Sequence, residues 1–342
     1  MNRLLHTLAV VAVLTTVLPA ARSLAADEVN VYSARKEELI KPLLDTFAKE
    51  TGIAVNLVTG KDDALLQRLK SEGINSPADL LITVDAGNLH RAKTAGVTQP
   101  VVSETLDAAI PAAYRDPEGH WVGLTVRARP ILFVAGKTDP ATLSTYEALA
   151  DPAFKGRICV RSSDNIYNQS LVASLIAANG IEATETWAAG LVANLARPPK
   201  GGDRDQIKAA AAGECDIALA NTYYLAGMLT GDDLAERAAA ESLRVFWPNQ
   251  EGRGAHANVS GVALTAAAQH KDAAIRLVEF LANPESQRWY AEQNGEYPVR
   301  EGVTISPTLA AWGPFKADTL NLARLGELNA EAVKLMDRAG WK

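Results

Sequence analysis

Residues 28–84 read EVNVYSARKEELIKPLLDTFAKETGIAVNLVTGKDDALLQRLKSEGINSPADLLITV, and two hydrophobic periods alternate within them. Three short runs rich in β-branched and aliphatic residues, EVNVYS at 28–33, IAVNLV at 53–58 and ADLLITV at 78–84, have the length and composition of buried strands. Between them, residues 36–52 place Leu39, Ile40, Leu43, Leu44 and Phe47 on one helical stripe, and DDALLQRLKSEG at 62–73 is a helix with acids at its start and a glycine at its stop. A strand–helix–strand–helix–strand order of this length dictates parallel pairing with crossover helices. The fold class is therefore α/β, with a mixed, mostly parallel sheet flanked by helices.

Working outward toward the N-terminus, residues 1–25 form an export signal. Arg3 supplies the positive start, residues 8–18 the apolar stretch, and Ser23-Leu24-Ala25 a small-x-small cleavage site. The apolar stretch is too short to span a bilayer, and no later segment approaches the roughly 20 apolar residues a membrane helix needs. Without residues 1–25, two of the 34 basic residues go and all 40 acids stay, so the net charge moves from −6 to −8. An acidic chain of this kind excludes a nucleic-acid partner held by backbone phosphates.

The chain exceeds the size at which one hydrophobic core keeps growing, so two lobes are expected. Residues 26–126 form the first part of lobe 1 and residues 127–247 form lobe 2. Residues 248–342 return, with C-terminal helices mainly in lobe 1. WVGLTVRARPILFV at 121–134 is long enough to cross between lobes, and SLRVFWPNQ at 242–250 reads as the return crossing. Lobe 2 would hold strands in GRICVRSS and CDIALA, with helices at 165–194 and 203–212. Cys159 and Cys215 belong to an oxidising compartment if the chain is exported. A structural disulfide is then the leading account, and a shared metal site or a free thiol the other.

Catalytic signatures are sparse. There is no Gly-x-Ser-x-Gly elbow, no phosphate-cradling Gly-x-x-x-x-Gly-Lys-Ser/Thr loop and no His-Glu-x-x-His helix, and the five histidines are scattered. What stands out is ANTYYL at 220–225, two adjacent tyrosines directly after CDIALA. Tyr167 follows the strand of GRICVRSS in an equivalent place. Open α/β sheets bind ligands beyond the carboxyl ends of their strands, where helices begin. Each tyrosine is also compatible with ordinary packing, its ring buried and its hydroxyl given one partner. If the three phenols meet, they form a hard oxygen site. A phenol, with a pKa near 10, ionises at neutral pH only when a strong positive charge replaces its proton, and three phenolates balance a trivalent cation.

With these residues in view, the sequence resembles the periplasmic ferric-iron-binding proteins of bacterial ABC uptake systems, the family of FbpA and FutA. The matching stretches run through nearly the whole mature chain: NVYSARKEELIKPLLDTFAKETGI, SPADLLITVDAGNLHRAKTAGV, GLTVRARPILF, GRICVRSSDNIYNQSLVASLI, AAGECDIALANTYYL and FWPNQEGRGAHANVSGVAL. The resemblance implies a two-lobed periplasmic binding protein fold with a hinged ligand cleft. It implies Fe(III) as the transported ligand, held by the phenolates of Tyr167, Tyr223 and Tyr224. It further implies a monomeric, non-enzymatic carrier in the periplasm, delivering to an inner-membrane ABC permease without itself entering the membrane.

In one respect the chain departs from the family pattern. The His-Tyr pair that many members carry in the first loop is replaced by Lys36 and Glu37. Members lacking the pair complete the iron shell with carbonate or bicarbonate. Arg127 and Arg129 are candidates to balance that anion, each equally readable as a structural salt bridge. Arg35 and Glu37 are further cleft candidates, with a solvated loop charge and a helix-start carboxylate as their plain readings. Two alternatives stay open: an oxyanion or small organic-cation carrier of the same fold, and a secreted enzyme using an acid such as Glu37 or Asp85.

Overall fold

The computed structural model describes residues 27–342. The export signal read at residues 1–25 lies outside the described residues. No helix among those described is long and apolar enough to cross a membrane.

Strands β1 (Glu28–Ser33), β2 (Ala54–Thr59) and β3 (Leu80–Val84) pair in parallel with β1 in the middle, as their connecting helices α1 (Lys41–Thr51) and α2 (Asp62–Glu72) require. Val29, Val31, Leu80 and Ile82 are fully buried, and Leu43, Leu44 and Phe47 of α1 cover them. Gly52 ends α1 in the left-handed conformation, φ 75°, which a side chain would disfavour. Helix α3 (Ala86–Thr94), the short strand β4 (Thr98–Gln99) and α4 (Glu104–Ala109) follow.

The segment 121–134 is two strands in two different sheets. β5 (Val122–Ala128) belongs to the first sheet, β6 (Ile131–Val134) to the second, and Arg129-Pro130 lies between. Proline has no N–H to give a ladder, so the pairing breaks there and the chain changes lobes. The second sheet adds β7 (Ile158–Cys159), β8 (Ile217–Leu219) and β9 (Leu243–Phe246) in the order β7-β8-β6-β9. Its helices are α5 (Ile166–Asn179), α6 (Ile181–Ala193), α7 (Asp203–Ala211), α8 (Thr222–Thr230) and α9 (Leu234–Glu241). The chain then returns as β10 (Ala257–Thr265), which lies between β3 and β5 and is antiparallel to both.

Both sheets are mixed. The parallel character expected for them is confined to β1 with its two neighbours and to the β7–β8 pair. Crossing strands enter each sheet from the opposite direction, so the pairs formed by β10 with β3 and β5, and by β6 with β8 and β9, are antiparallel. The two crossings are tied to each other. Arg129 N donates to His256 O at 3.1 Å, and the Tyr146 hydroxyl donates to Arg129 O at 2.7 Å while accepting from His256 N at 3.0 Å.

After β10 come α10 (Lys271–Leu281), α11 (Pro284–Gln293), β11 (Tyr297–Pro298), α12 (Pro307–Ala310), α13 (Ala323–Glu327) and α14 (Asn329–Arg338). α10 and α11 are separated at Asn283-Pro284, where Asn283 caps the new helix. The C-terminal helices also depart from the expected placement in lobe 1. α13 packs on both α3 and α5, and α14 packs on α5 and α6 of the second lobe. The reason is a contact between residues remote in sequence: Trp341 meets Trp187 edge to face at 6.3 Å, and its indole N–H reaches Arg161 O at 3.0 Å. Cys159 of β7 and Cys215, two residues before β8, form a disulfide, as the leading sequence account expected.

Candidate functional site

Two helix starts carry the tyrosines. Tyr167 is the second residue of α5, where the Asn165 side chain caps the helix by accepting from Tyr167 N at 3.1 Å. Tyr223 and Tyr224 are the second and third residues of α8, with ring centroids 4.3 Å apart. All three are half-buried and line one cavity of about 510 Å³. Lobe 1 contributes Arg35, Lys36 and Asp62 to its wall, together with Arg127, which lies on β5 of the first sheet and not beyond the lobe boundary expected at residue 127; lobe 2 adds Arg204, and Asn294 and Glu296 come from the segment after α11.

Beneath the tyrosines, Arg129 organises the helix starts. Fully buried, it donates to Asp203 of α7 at 2.9 Å, to Asn221 before α8 at 2.9 Å and to Asn168 of α5 at 2.7 Å. Asp203 also accepts from Asn221 N and Arg161. Three helix N-termini are thereby fastened to one guanidinium, whose planar fork suits several acceptors at once. Arg129 is turned away from the cavity, so of the readings offered for it the buried salt bridge holds, not the anion contact. Glu37 does not line the cavity either: it is exposed, and Glu38, one residue on, reaches the wall instead. A side chain in the first turn after Lys36 faces water, where a carboxylate is well solvated.

Arg35 and Arg127 do reach the cavity, and they arrive paired to a carboxylate. Glu296 accepts from Arg35 at 2.8 Å through one oxygen and from Arg127 at 2.6 Å through the other. All three side chains are more than nine-tenths buried. Burial alone would raise the Glu296 pKa, yet the two guanidinium charges hold it below the usual carboxylate range. Arg127 also stands 4.8 Å from the centre of the Tyr223 ring. Burial works against its charge, but Glu296 and the nearby phenols hold its pKa up.

For Tyr167 and Tyr223 burial is the main influence and pushes both phenols above their ordinary value; the Tyr224 phenol adds to it in each case and Arg127 opposes it. Without a cation the site therefore keeps these two protons at neutral pH. What it offers chemically is a cluster of hydroxyl oxygens that become anionic only when a strong positive charge displaces their protons, next to a fixed guanidinium able to receive an anion.

Asp85 is buried behind the cavity. Its carboxylate accepts from Gly87 N, from Ser170 Oγ of α5 at 2.7 Å and from Asn258 Nδ2 of β10 at 2.8 Å. It caps α3 and joins elements of both lobes, and burial raises its pKa to about 6. His256 is buried at the return crossing, where burial and then Arg253 and Arg129 lower its pKa to about 3. Neither Asp85 nor His256 lines the cavity. Glu296, Asp62 and Arg204 were not singled out from sequence. In each case the local residues read as ordinary surface charge, and only the packing of distant segments brings them to the wall.

Comparison with known proteins bears on the fold and the family. Residues 43–317 match the family model described as bacterial extracellular solute-binding protein. The chain is 51% identical to iron uptake protein A1 of Synechocystis, over 92% of this chain and 88% of the relative. It is 44% identical to iron uptake protein A2 of the same organism, over 98% and 96%. Among solved structures, the Trichodesmium FutA in complex with iron and citrate ligands superposes with a TM-score of 0.90 at 50% identity, covering 92% of this chain and 100% of that one. These neighbours have two-lobed folds and are named as uptake or binding proteins. The chain belongs to the bacterial extracellular solute-binding proteins and, within them, to the group of the iron uptake and ferric-iron-binding proteins.

Proposed function

We propose that this chain is a periplasmic, non-enzymatic carrier that captures ferric iron in the interlobe cavity and passes it to an inner-membrane ABC permease. The observation that carries this reading is the convergence of three phenols, Tyr167, Tyr223 and Tyr224, beside Arg127 in one cavity between the lobes. Fe(III) entering there displaces three phenolic protons, and the three negative oxygens left behind neutralise its charge. A carbonate-type anion then fills remaining coordination positions and rests on the Arg127 guanidinium. Closure of lobe 1 over the filled second lobe excludes water from the cation. Release follows when protons return to the phenolates or when reduction to Fe(II) weakens their hold. The names of the relatives, which refer to iron uptake, support the same cargo.

A visible spectrum of the purified mature protein tests this directly. Addition of ferric citrate with bicarbonate to iron-free protein is expected to raise a phenolate-to-iron band, which Tyr224→Phe weakens or shifts. Absence of the band in the wild type would favour the second reading, an oxyanion carrier. That reading is supported by the arginine pair in the cavity wall, and a thermal-shift screen of oxyanions would then identify the ligand.

A further inference from the structure

Glu296 lines the cavity from a segment remote in sequence from every tyrosine, and it binds both arginines that reach the wall. Its hold on the two is unequal. Arg35 spends both terminal nitrogens on protein groups: Nη2 on Glu296, and Nη1 on Ser260 Oγ at 2.8 Å and, more weakly, on Glu296 at 3.4 Å. Arg127 gives Glu296 only Nη2. Among the described residues no protein group accepts from its Nη1, and its Nε is buried without a partner. Two guanidinium charges and one carboxylate leave a net charge of one, with a single arm available toward the cavity.

The other charges near the cavity do not alter that count much. Lys36 pairs with Glu38 and both are largely exposed, while Arg204 pairs with Glu236 nearer the surface. Water screens such pairs, so the buried trio dominates the field inside. Asp62 is half-buried and accepts from Thr83, and burial holds its carboxyl above the ordinary value. Asp85 is turned to Ser170, Gly87 and Asn258 but lies near enough to Arg127 for each charge to favour the other; its one negative charge is offset by the group beneath the tyrosines, where Arg129 and Arg161 share the single carboxylate of Asp203.

We propose that Glu296 is a specificity-determining residue that sets the charge of the anion subsite: by occupying Arg35 and one arm of Arg127 it selects a singly charged oxyanion of the bicarbonate class over a multiply charged chelator such as citrate. This rests on the ferric reading of the same cavity. Fe(III) with three phenolates is neutral, so a single negative charge beside it is matched by the single positive charge of the trio. A trianion would leave uncompensated charge in a water-poor cleft, where charge imbalance is costly.

The test measures anion binding to iron-free protein by calorimetry, with sodium bicarbonate and sodium citrate as probes, on wild type, Glu296→Gln and the double variant Arg35→Gln/Glu296→Gln. Glu296→Gln raises the subsite to two positive charges and is expected to shift the citrate-to-bicarbonate affinity ratio toward citrate by at least tenfold. The double variant returns to one positive charge on Arg127 and is expected to regain a ratio near that of wild type. A purely structural Glu296 would make the double variant no better than the single one.

An unchanged ratio in folded Glu296→Gln overturns the proposal, as does a wild type that prefers citrate or fails to bind bicarbonate. If Glu296→Gln does not fold, the double variant decides, and a ratio departing from wild type by tenfold or more overturns the proposal. The ferric reading is judged separately by the phenolate-to-iron band, so its failure and the failure of the anion selection are distinguishable.

Discussion

At the residue scale, the cavity owes its character to three carboxylates used in three ways. Glu296 neutralises part of a guanidinium pair, Asp203 lies beneath the tyrosine-bearing helices as a buried counter-charge to Arg129, and Asp85 joins the lobes as a hydrogen-bond acceptor. The pKa of Asp85 is raised from 3.8 to about 6, because burial outweighs the three donors that favour its ionised form. Its native form therefore holds a proton across a range where the unfolded chain has released it. The stability it contributes is greatest at the low end of that range and is lost as pH rises from about 4 through 6, by on the order of 2 kcal/mol. Urea unfolding at pH 4.5 and 7.5 should show this loss in wild type, superposed on the effects of other groups, and a flatter difference in Asp85→Asn. Parallel behaviour of the two proteins would remove Asp85 as the cause.

At the scale of elements, short strands and helix starts do the positioning. β7 has only two residues and β8 three, yet the N-terminal turns that follow them carry all three tyrosines. So small a ladder contributes few hydrogen bonds, and the disulfide ties Cys159 of β7 to Cys215, just before β8, across a separation of 56 residues. Restricting a loop of that length in the unfolded chain is worth about 4 kcal/mol in the chain-entropy estimate. Replacing both cysteines by alanine is expected to lower unfolding stability by roughly 2–4 kcal/mol in denaturant titration. It should also weaken iron loading more than a substitution of equal cost in lobe 1, because the strand ends set where the phenols stand. Equal loading in the two variants would show that Arg129 and its partners hold the helix starts without help from the disulfide.

On the scale of the whole molecule, the lobes are linked by two crossings fastened through Tyr146, by the Asp85–Ser170 contact, and by α13, which packs on helices of both lobes. A ligand gripped from both sides stabilises the lobes together. Saturation at one hundred times the dissociation constant is worth about 2.7 kcal/mol. Calorimetric melting with and without ferric iron should move the whole transition upward. A shift confined to one part of a split transition would mean that a single lobe holds the cargo.

The sequence by itself determined the β1–β3 core, because strand and helix periods are local properties written into neighbouring residues. It likewise carried the tyrosine motifs, since a helix start after a strand end follows from the same local order, and the pairing of the two cysteines as the leading account. Tertiary structure alone decided which charges face the cavity. Arg127 and Arg129 are two residues apart on an extended segment, and the change of sheet between β5 and β6 sends one to the cavity wall and the other under three helices. Glu296 had no local signal at all, because its partners come from β5 and the loop after β1. The packing of α14 on lobe 2 was equally illegible, resting on Trp341 meeting Trp187 and Arg161 from distant parts of the chain. Periodicity encodes which face of an element is apolar, but the partner of a buried charge is fixed only when remote segments are brought together and water is excluded around it.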